Sequence, residues 1–141
     1  MISTRGRYSI RILLDLAEHH TGDFISLKDV AERQDISLKY IERILPLLKK
    51  GKLIETAHGK GGGYKLTKAP DEYNLLEILE YTEGDLAPVA CLKSDAPPCE
   101  RAAECKTLAV WEGYYKLTRD YFKNITLADL MNQDFSNNYV I

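Results

Sequence analysis

The chain reads as a mainly α-helical fold with a small β-hairpin wing: a winged helix-turn-helix followed by a long carboxy-terminal helix. Three observations predict it. Leu38, Ile41, Ile44, Leu45 and Leu48 recur at spacings of three and four, which marks one face of a helix. Two strand-like runs follow, Leu53 to Ala57 and Tyr64 to Leu66, joined by His58-Gly59-Lys60-Gly61-Gly62-Gly63. A short helical pattern from Ser26 to Arg33 precedes the first by about four residues, the connection of a helix-turn-helix.

In chain order, a first helix is expected from about Thr4 to His19. Ile10, Leu13, Leu14 and Ala17 form its stripe, widened by Ile12 and Leu16. Arg5, Arg7 and Arg11 crowd its start, where cations oppose the helix dipole, so they serve either phosphate contact or a solvated surface. Thr21-Gly22-Asp23 is a turn. The second helix opens at Ser26, with Asp29 three residues on, and its apolar face is Leu27, Val30 and Ala31. Ser37 caps the third helix and Gly51 is its C′ candidate. Pro46 removes one backbone donor inside that helix, so either the helix bends or its first turns carry the function.

Lys68-Ala69-Pro70-Asp71 marks a boundary between a winged helix-turn-helix domain, 1–70, and a second part, 71–141. A fourth helix is expected over about Leu75 to Glu83, stopped by Gly84. Residues 85–106 hold three prolines among 85–100 and all three cysteines, the composition of a functional loop. The last long helix should start between Glu100 and Lys106 and end near Asn124. Leu108, Trp111, Tyr115, Thr118, Phe122 and Ile125 give it a heptad-like seam, flanked by Val110, Tyr114, Leu117 and Tyr121. So wide an apolar surface favours dimerisation over burial in one monomer. Thr126 to Asp129 restarts a short helix, and the tail from Gln133 is expected to fray or pack on the partner.

The 141 residues carry a net charge of −2 that hides an asymmetry. Residues 1–70 hold 13 Lys/Arg and 8 Asp/Glu, and residues 71–141 hold 6 and 13. The basic half is the one suited to an anionic partner, unless the split is merely one of solvated charges. No apolar run approaches the ~18 residues of a membrane span. Met1-Ile2-Ser3-Thr4-Arg5 leads straight into a helix without a secretory h-region, so a cytoplasmic protein is expected. Catalysis finds no support. Gly59 to Gly63 lacks the Lys-Ser/Thr and helix of a P-loop, and His19, His20 and His58 have no nucleophile beside them.

Lys39, Tyr40, Glu42 and Arg43 occupy the first turns of the third helix, where base edges of double-stranded DNA come within reach. Arg43 can donate twice to guanine and Glu42 can accept from a cytosine amino group. Tyr40 has packing against the second helix as an alternative role. Arg5, Arg7, Lys28, Ser37, Lys60 and Lys65 suit phosphates, which fix register without reading sequence. His58, Gly61, Gly62 and Tyr64 complete a wing whose glycines permit positive φ and close approach to a groove wall. A homodimer presents two such units to a palindromic operator.

Cys91, Cys99 and Cys105 are separated by seven and five residues. Their odd number disfavours a disulfide framework, and without a CxxC pair a closed zinc site has little support.

Four fragments in order resemble the IscR/NsrR/CymR-type regulators, the Rrf-two family. They are Ser3-Thr4-Arg5-Gly6-Arg7-Tyr8, Ile36-Ser37-Leu38-Lys39-Tyr40-Ile41-Glu42, Gly59-Lys60-Gly61-Gly62-Gly63-Tyr64 and Asn124-Ile125-Thr126-Leu127-Ala128-Asp129-Leu130. The resemblance runs from about Ser3 to Leu130. It implies a homodimeric winged-helix repressor with crossed dimerisation helices, sensing iron–sulfur status, nitric oxide, redox stress or cysteine supply. Cluster-binding members place three cysteines before the dimerisation helix, where Cys91, Cys99 and Cys105 lie here. The resemblance therefore implies an iron–sulfur cluster, of a type left open, if a fourth ligand exists. IscR-type members place a His shortly after the third cysteine, whereas this chain has Lys106-Thr107-Leu108. NsrR-type members draw a ligand from the first helix of the other subunit, and here that helix offers Tyr8, Arg11 and Ile12. Glu104, Asp15 or an exogenous small molecule are the remaining candidates. The alternative is a CymR-type regulator of cysteine metabolism or thiol redox state, acting through a protein partner without a cluster.

Overall fold

The computed structural model describes residues 1–132. They form α1 (Thr4–Glu18), α2 (Leu27–Gln34), α3 (Leu38–Lys50), β1 (Ile54–Ala57), β2 (Gly63–Leu66), α4 (Leu75–Glu83), α5 (Leu108–Lys123) and α6 (Leu127–Asn132). Single 3-10 turns occupy Pro70–Glu72 and Ala90–Leu92. The tail expected to fray or to pack on a partner, from Gln133 onward, lies outside the described residues.

Helix starts follow one chemical rule. Ser3, Ser26, Ser37 and Asn74 each accept the backbone N–H three residues on, from Gly6, Asp29, Tyr40 and Glu77, at 3.2, 3.4, 3.1 and 2.8 Å. Each bond satisfies a donor the helix leaves unpaired and is worth about 1 kcal/mol. α6 opens with a reciprocal box: Asp129 N–H donates to the Thr126 hydroxyl at 3.1 Å, and Thr126 N–H donates to the Asp129 carboxylate at 2.9 Å.

Some local expectations shift. α3 runs through Pro46, which lies on its exposed face, where solvent can serve the carbonyl that loses its donor. Gly51 is not left-handed: its φ is −78°, and Lys52 takes the left-handed position at φ 56°. Gly51 is needed for space instead, because a Cβ there would lie 2.8 Å from the Tyr81 ring. In α1 the buried face is Ile12, Leu13, Leu16 and Ala17 together with Gly6, Ser9 and Asp15, while Ile10 and Leu14 are half-buried. The helix is central, packing on α2, α4, α6 and β2, so its buried surface exceeds one stripe. Leu38, placed by its spacing on the apolar face of α3, is exposed.

The core gathers Leu13, Leu16, Val30, Ile41, Ile44, Leu48 and Leu53 with Tyr73, Leu75, Ile78, Ile125 and Leu127, and so continues past residue 70. Tyr73 is fully buried and ties three segments together. Its hydroxyl donates to the Leu53 carbonyl at 2.6 Å and accepts from Thr67 N–H at 2.9 Å, and its carbonyl accepts from Leu127 N–H at 3.1 Å.

β1 and β2 pair antiparallel, from Ile54 opposite Leu66 to Ala57 opposite Gly63. Ile25 adds a bridge on the other side of β2, exchanging two 2.8 Å backbone bonds with Tyr64. Gly63 makes this approach feasible: at φ 150° a Cβ would stand 2.2 Å from the Ile25 carbonyl oxygen.

α5 begins at Leu108, later than expected, because residues 99–104 form successive turns. None of its residues is buried. Leu108, Tyr115, Thr118 and Phe122 are half-buried, whereas Trp111 of the same seam is exposed. The flanking set, Val110, Tyr114, Leu117 and Tyr121, is exposed from end to end. Among the described residues no helix is long and apolar enough to cross a membrane.

Candidate functional site

α3 is fixed from behind. Its four buried residues, Ile41, Ile44, Leu45 and Leu48, all face the core. That leaves Lys39, Glu42 and Arg43 exposed on the outward side. Tyr40 is half-buried and packs edge-on against Tyr8 of α1, with ring centroids 5.4 Å apart. The Arg11 guanidinium stands over the same Tyr8 ring at 5.0 Å. Tyr40 thus helps set the tilt of α3 on α1.

Arg5, Arg7 and Lys28 are exposed at the first turns of α1 and α2. Arg7 donates to the Thr4 hydroxyl at 3.2 Å. Ser3 N–H and its hydroxyl donate to Glu83 at 3.1 and 2.5 Å, tying the start of α1 to the end of α4. At the wing tip His58, Lys60 and Gly61 are exposed and Gly62 is half-buried. Tyr64 is half-buried, with its backbone committed to the Ile25 bridge. Lys65 pairs with Glu55 at 3.2 Å and lies 4.7 Å over the Phe24 ring, so its charge is engaged. Among the described residues Arg5, Lys28, Lys39, Glu42, Arg43 and Lys60 form no ion pair within the chain. Their charges are available to an external partner.

The α1–α2 joint holds an ion pair with a buried carboxylate that sequence reading missed. The Asp15 carboxylate is fully buried and accepts from Arg33 Nη2 at 2.7 Å, Arg33 Nε at 3.0 Å and Gln34 Nε2 at 2.9 Å. Arg11 completes the knot on Gln34, donating to its side-chain oxygen at 3.2 Å and to its backbone carbonyl. The bond to Asp15 holds the Arg33 guanidinium pKa above its ordinary value. Asp15 is therefore committed to structure and is not a candidate ligand. A charged pair of this separation in sequence leaves no local periodic signal.

The cysteine loop is tied down by Asp85. Its carboxylate accepts from Ala87 N–H at 2.9 Å, Ser94 N–H at 2.8 Å and the Tyr115 hydroxyl of α5 at 2.9 Å. The Ser94 bond is the chief reason its pKa lies below the usual carboxylate range. Desolvation, then the bond to Asp85, pushes the Tyr115 phenol up. Arg119 donates to the Tyr115 hydroxyl at 3.3 Å and reaches Glu80 of α4 at 3.6 Å.

Cys91, Cys99 and Cys105 are free and exposed. Cys105 sits just before α5, its Sγ 3.5 Å from the Thr107 hydroxyl. That hydroxyl, then the Thr107 and Leu108 backbone and Arg101, lowers the thiol pKa, while desolvation opposes it. Three thiols are suitable donors for an iron–sulfur cluster. Their arrangement here does not fit one, because among the described residues no group of three or more Cys, His, Asp or Glu side chains is gathered to hold a metal.

Beside the loop, Leu86, Pro88, Val89, Trp111, Tyr114 and Leu117 line an open apolar groove of about 1080 Å³.

A family profile described as "Rrf2: Iron-dependent Transcriptional regulator" matches residues 2–133. Protein rrf2 of Nitratidesulfovibrio vulgaris is 37% identical over 130 residues, covering 92% of this chain and 86% of that protein. The transcriptional regulator IscR of Erwinia tasmaniensis is 32% identical over 131 residues, 93% of this chain and 78% of that protein. Among solved structures, CymR, the global cysteine regulator of B. subtilis, superposes with TM-score 0.76 at 29% identity, covering 94% and 97% of the two chains. IscR of T. potens gives 0.73 at 29% identity, covering 100% and 93%.

Proposed function

Because the chain belongs to the Rrf2 family of transcriptional regulators, which are not enzymes, we propose that it is a cytoplasmic homodimeric repressor of a palindromic operator, responsive to chemistry at its cysteine loop. The observation that carries this reading is the division of α3. One side is wholly spent on the core, and the other presents Lys39, Glu42 and Arg43 without intramolecular ion pairs.

Arg43 and Glu42 have the donor and acceptor geometry to read guanine and cytosine edges. Arg5, Arg7, Lys28, Ser37 and the wing residues His58, Lys60, Gly61 and Gly62 hold the phosphates and groove wall on either side. Tyr40 and Tyr64, half-buried, position the helix and the wing. The exposed row Val110, Tyr114 and Leu117 supports dimerisation through α5, since a monomer would leave it in water.

The response is assigned to Cys91, Cys99 and Cys105. Asp85 links their loop to α5 through Tyr115, so a change in the loop would move the helix that sets the distance between the two α3 helices. Likeness to IscR supports an iron–sulfur cluster of unassigned type on these thiols. The thiols would have to be brought together first and a fourth ligand found. Likeness to CymR supports the second reading, a regulator of cysteine metabolism or thiol redox state acting through a protein partner without a cluster.

Sedimentation of the purified protein, with duplex selection from a random pool at two salt concentrations, tests the core of the proposal. A dimer that retains a palindrome and weakens steeply with salt is expected. A monomer indifferent to duplex DNA at low salt would remove it. Anaerobic reconstitution with iron and sulfide counting separates the two sensing readings.

A further inference from the structure

Leu38 is the first residue of α3 and is 43% exposed. Between residues 2 and 74 it is the only large hydrophobic side chain so exposed; the others are Met1, Tyr81 and residues from 110 onward. It lies outside the four buried residues, Ile41, Ile44, Leu45 and Leu48, that seat the helix. Its neighbours on the surface are polar: Ser37, whose hydroxyl caps the helix, Lys39 beside it, and Glu42 one turn on. A lone exposed leucine is ordinary on most surfaces. At this end of this helix it stands where, on the DNA-binding reading above, base edges lie.

The major groove presents hydrogen-bonding atoms and a single apolar group, the 5-methyl of thymine. Leucine neither donates nor accepts. Against a cytosine amino group it would strip water from a donor and leave it unpaired, which is unfavourable. Against the thymine methyl both surfaces leave water together. We infer that Leu38 is a specificity-determining residue that reads thymine. Each operator half-site carries a T facing the first turn of α3, its 5-methyl packed on the Leu38 side chain. Positions 38 and 42 adjoin on a helix, so this T neighbours the base that Glu42 meets.

The inference rests on the DNA-binding proposal, and the test separates the two. A duplex is first selected with the wild-type protein, and its salt-dependent retention is measured. Each T in the half-site is then replaced in turn by deoxyuridine, which removes only the methyl group. Wild-type protein is expected to lose about fourfold in affinity at one T per half-site, and about fifteenfold when both half-sites are changed. Leu38→Ala should bind the unmodified duplex about as weakly as wild type binds the uracil duplex, and should ignore the substitution. Leu38→Met, which keeps an apolar reach, should retain part of the discrimination. If the duplex is retained with normal salt dependence but no single uracil matters, or if one matters equally to wild type and Leu38→Ala, the thymine contact is overturned while the DNA-binding reading stands. If no duplex is retained at all, both fall.

Discussion

α3 and α5 are both amphipathic and similar in length, 13 and 16 residues, yet α3 buries four side chains and α5 none. The apolar face of α3 is consumed within the chain, so its polar face is what remains to act outward. α5 keeps Leu108, Tyr115, Thr118 and Phe122 half-covered and leaves Val110, Tyr114 and Leu117 largely exposed. The first helix has its apolar face covered by its own fold, and the second has part of its apolar face exposed. Amphipathicity alone therefore does not identify the active face; what the monomer leaves uncovered does.

If α3 is fixed by the monomer, then damage to its platform should be the costliest change. Asp15→Ala empties the buried carboxylate site between α1 and α2 and leaves Arg33, itself partly open to solvent, and the Gln34 amide without their acceptor. It should cost about 1–3 kcal/mol of stability, read as a lowered urea midpoint. If α5 instead depends on a partner, Tyr114→Lys with Leu117→Lys should leave the circular dichroism spectrum intact. The double variant should sediment as a monomer and lose about a hundredfold in operator affinity through lost bivalency. A double variant that stays dimeric would move the interface elsewhere. Arg43→Ala touches only the outward face of α3. Folding should be unchanged and operator affinity should fall by about 1–3 kcal/mol, with relaxed preference at one base position.

The smallest effects concern the loop between these helices. Cys105 should react with iodoacetamide with a pH midpoint below that of an ordinary thiol, about 8.5. Thr107→Val should move that midpoint upward, because the hydroxyl favouring the thiolate is gone. The carboxylate of Asp85 has a lowered folded-state pKa, so its contribution is fully present above the unfolded value of about 3.9 and is lost as pH falls through the folded value. Asp85→Ala should speed amide exchange at Ala87 and Ser94 at neutral pH, with little change in global stability.

Much of this was legible in the sequence because it is local. Ser37, Asn74 and the three-and-four spacing through Leu48 announce their helices within one turn, and the Gly-rich link announces a hairpin. The rest depends on what packs against what. The sequence stripe did not include Gly6, Ser9 and Asp15, which are buried because α1 is packed on by α2, α4, α6 and β2, and it placed Ile10 and Leu14 deeper than the half-buried positions they take. Gly51 looked like a left-handed cap, but the Tyr81 ring takes the space beside it. Asp15 could not be recognised as a structural anion, because its partners Arg33 and Gln34 lie on another helix. The spacing of three cysteines could not reveal whether their side chains converge, and here they are not gathered.

The double attachment of β2, to β1 on one side and Ile25 on the other, decides where this hairpin tolerates redesign. Segments grafted around Lys60 would hang free of the body and could lengthen or change chemistry without disturbing it, whereas a Cβ at Gly62 would stand 2.3 Å from the Ala57 carbonyl oxygen. An insertion beside Gly63 or Tyr64 would shear both seams at once, so diversification of this appendage is confined to its apex.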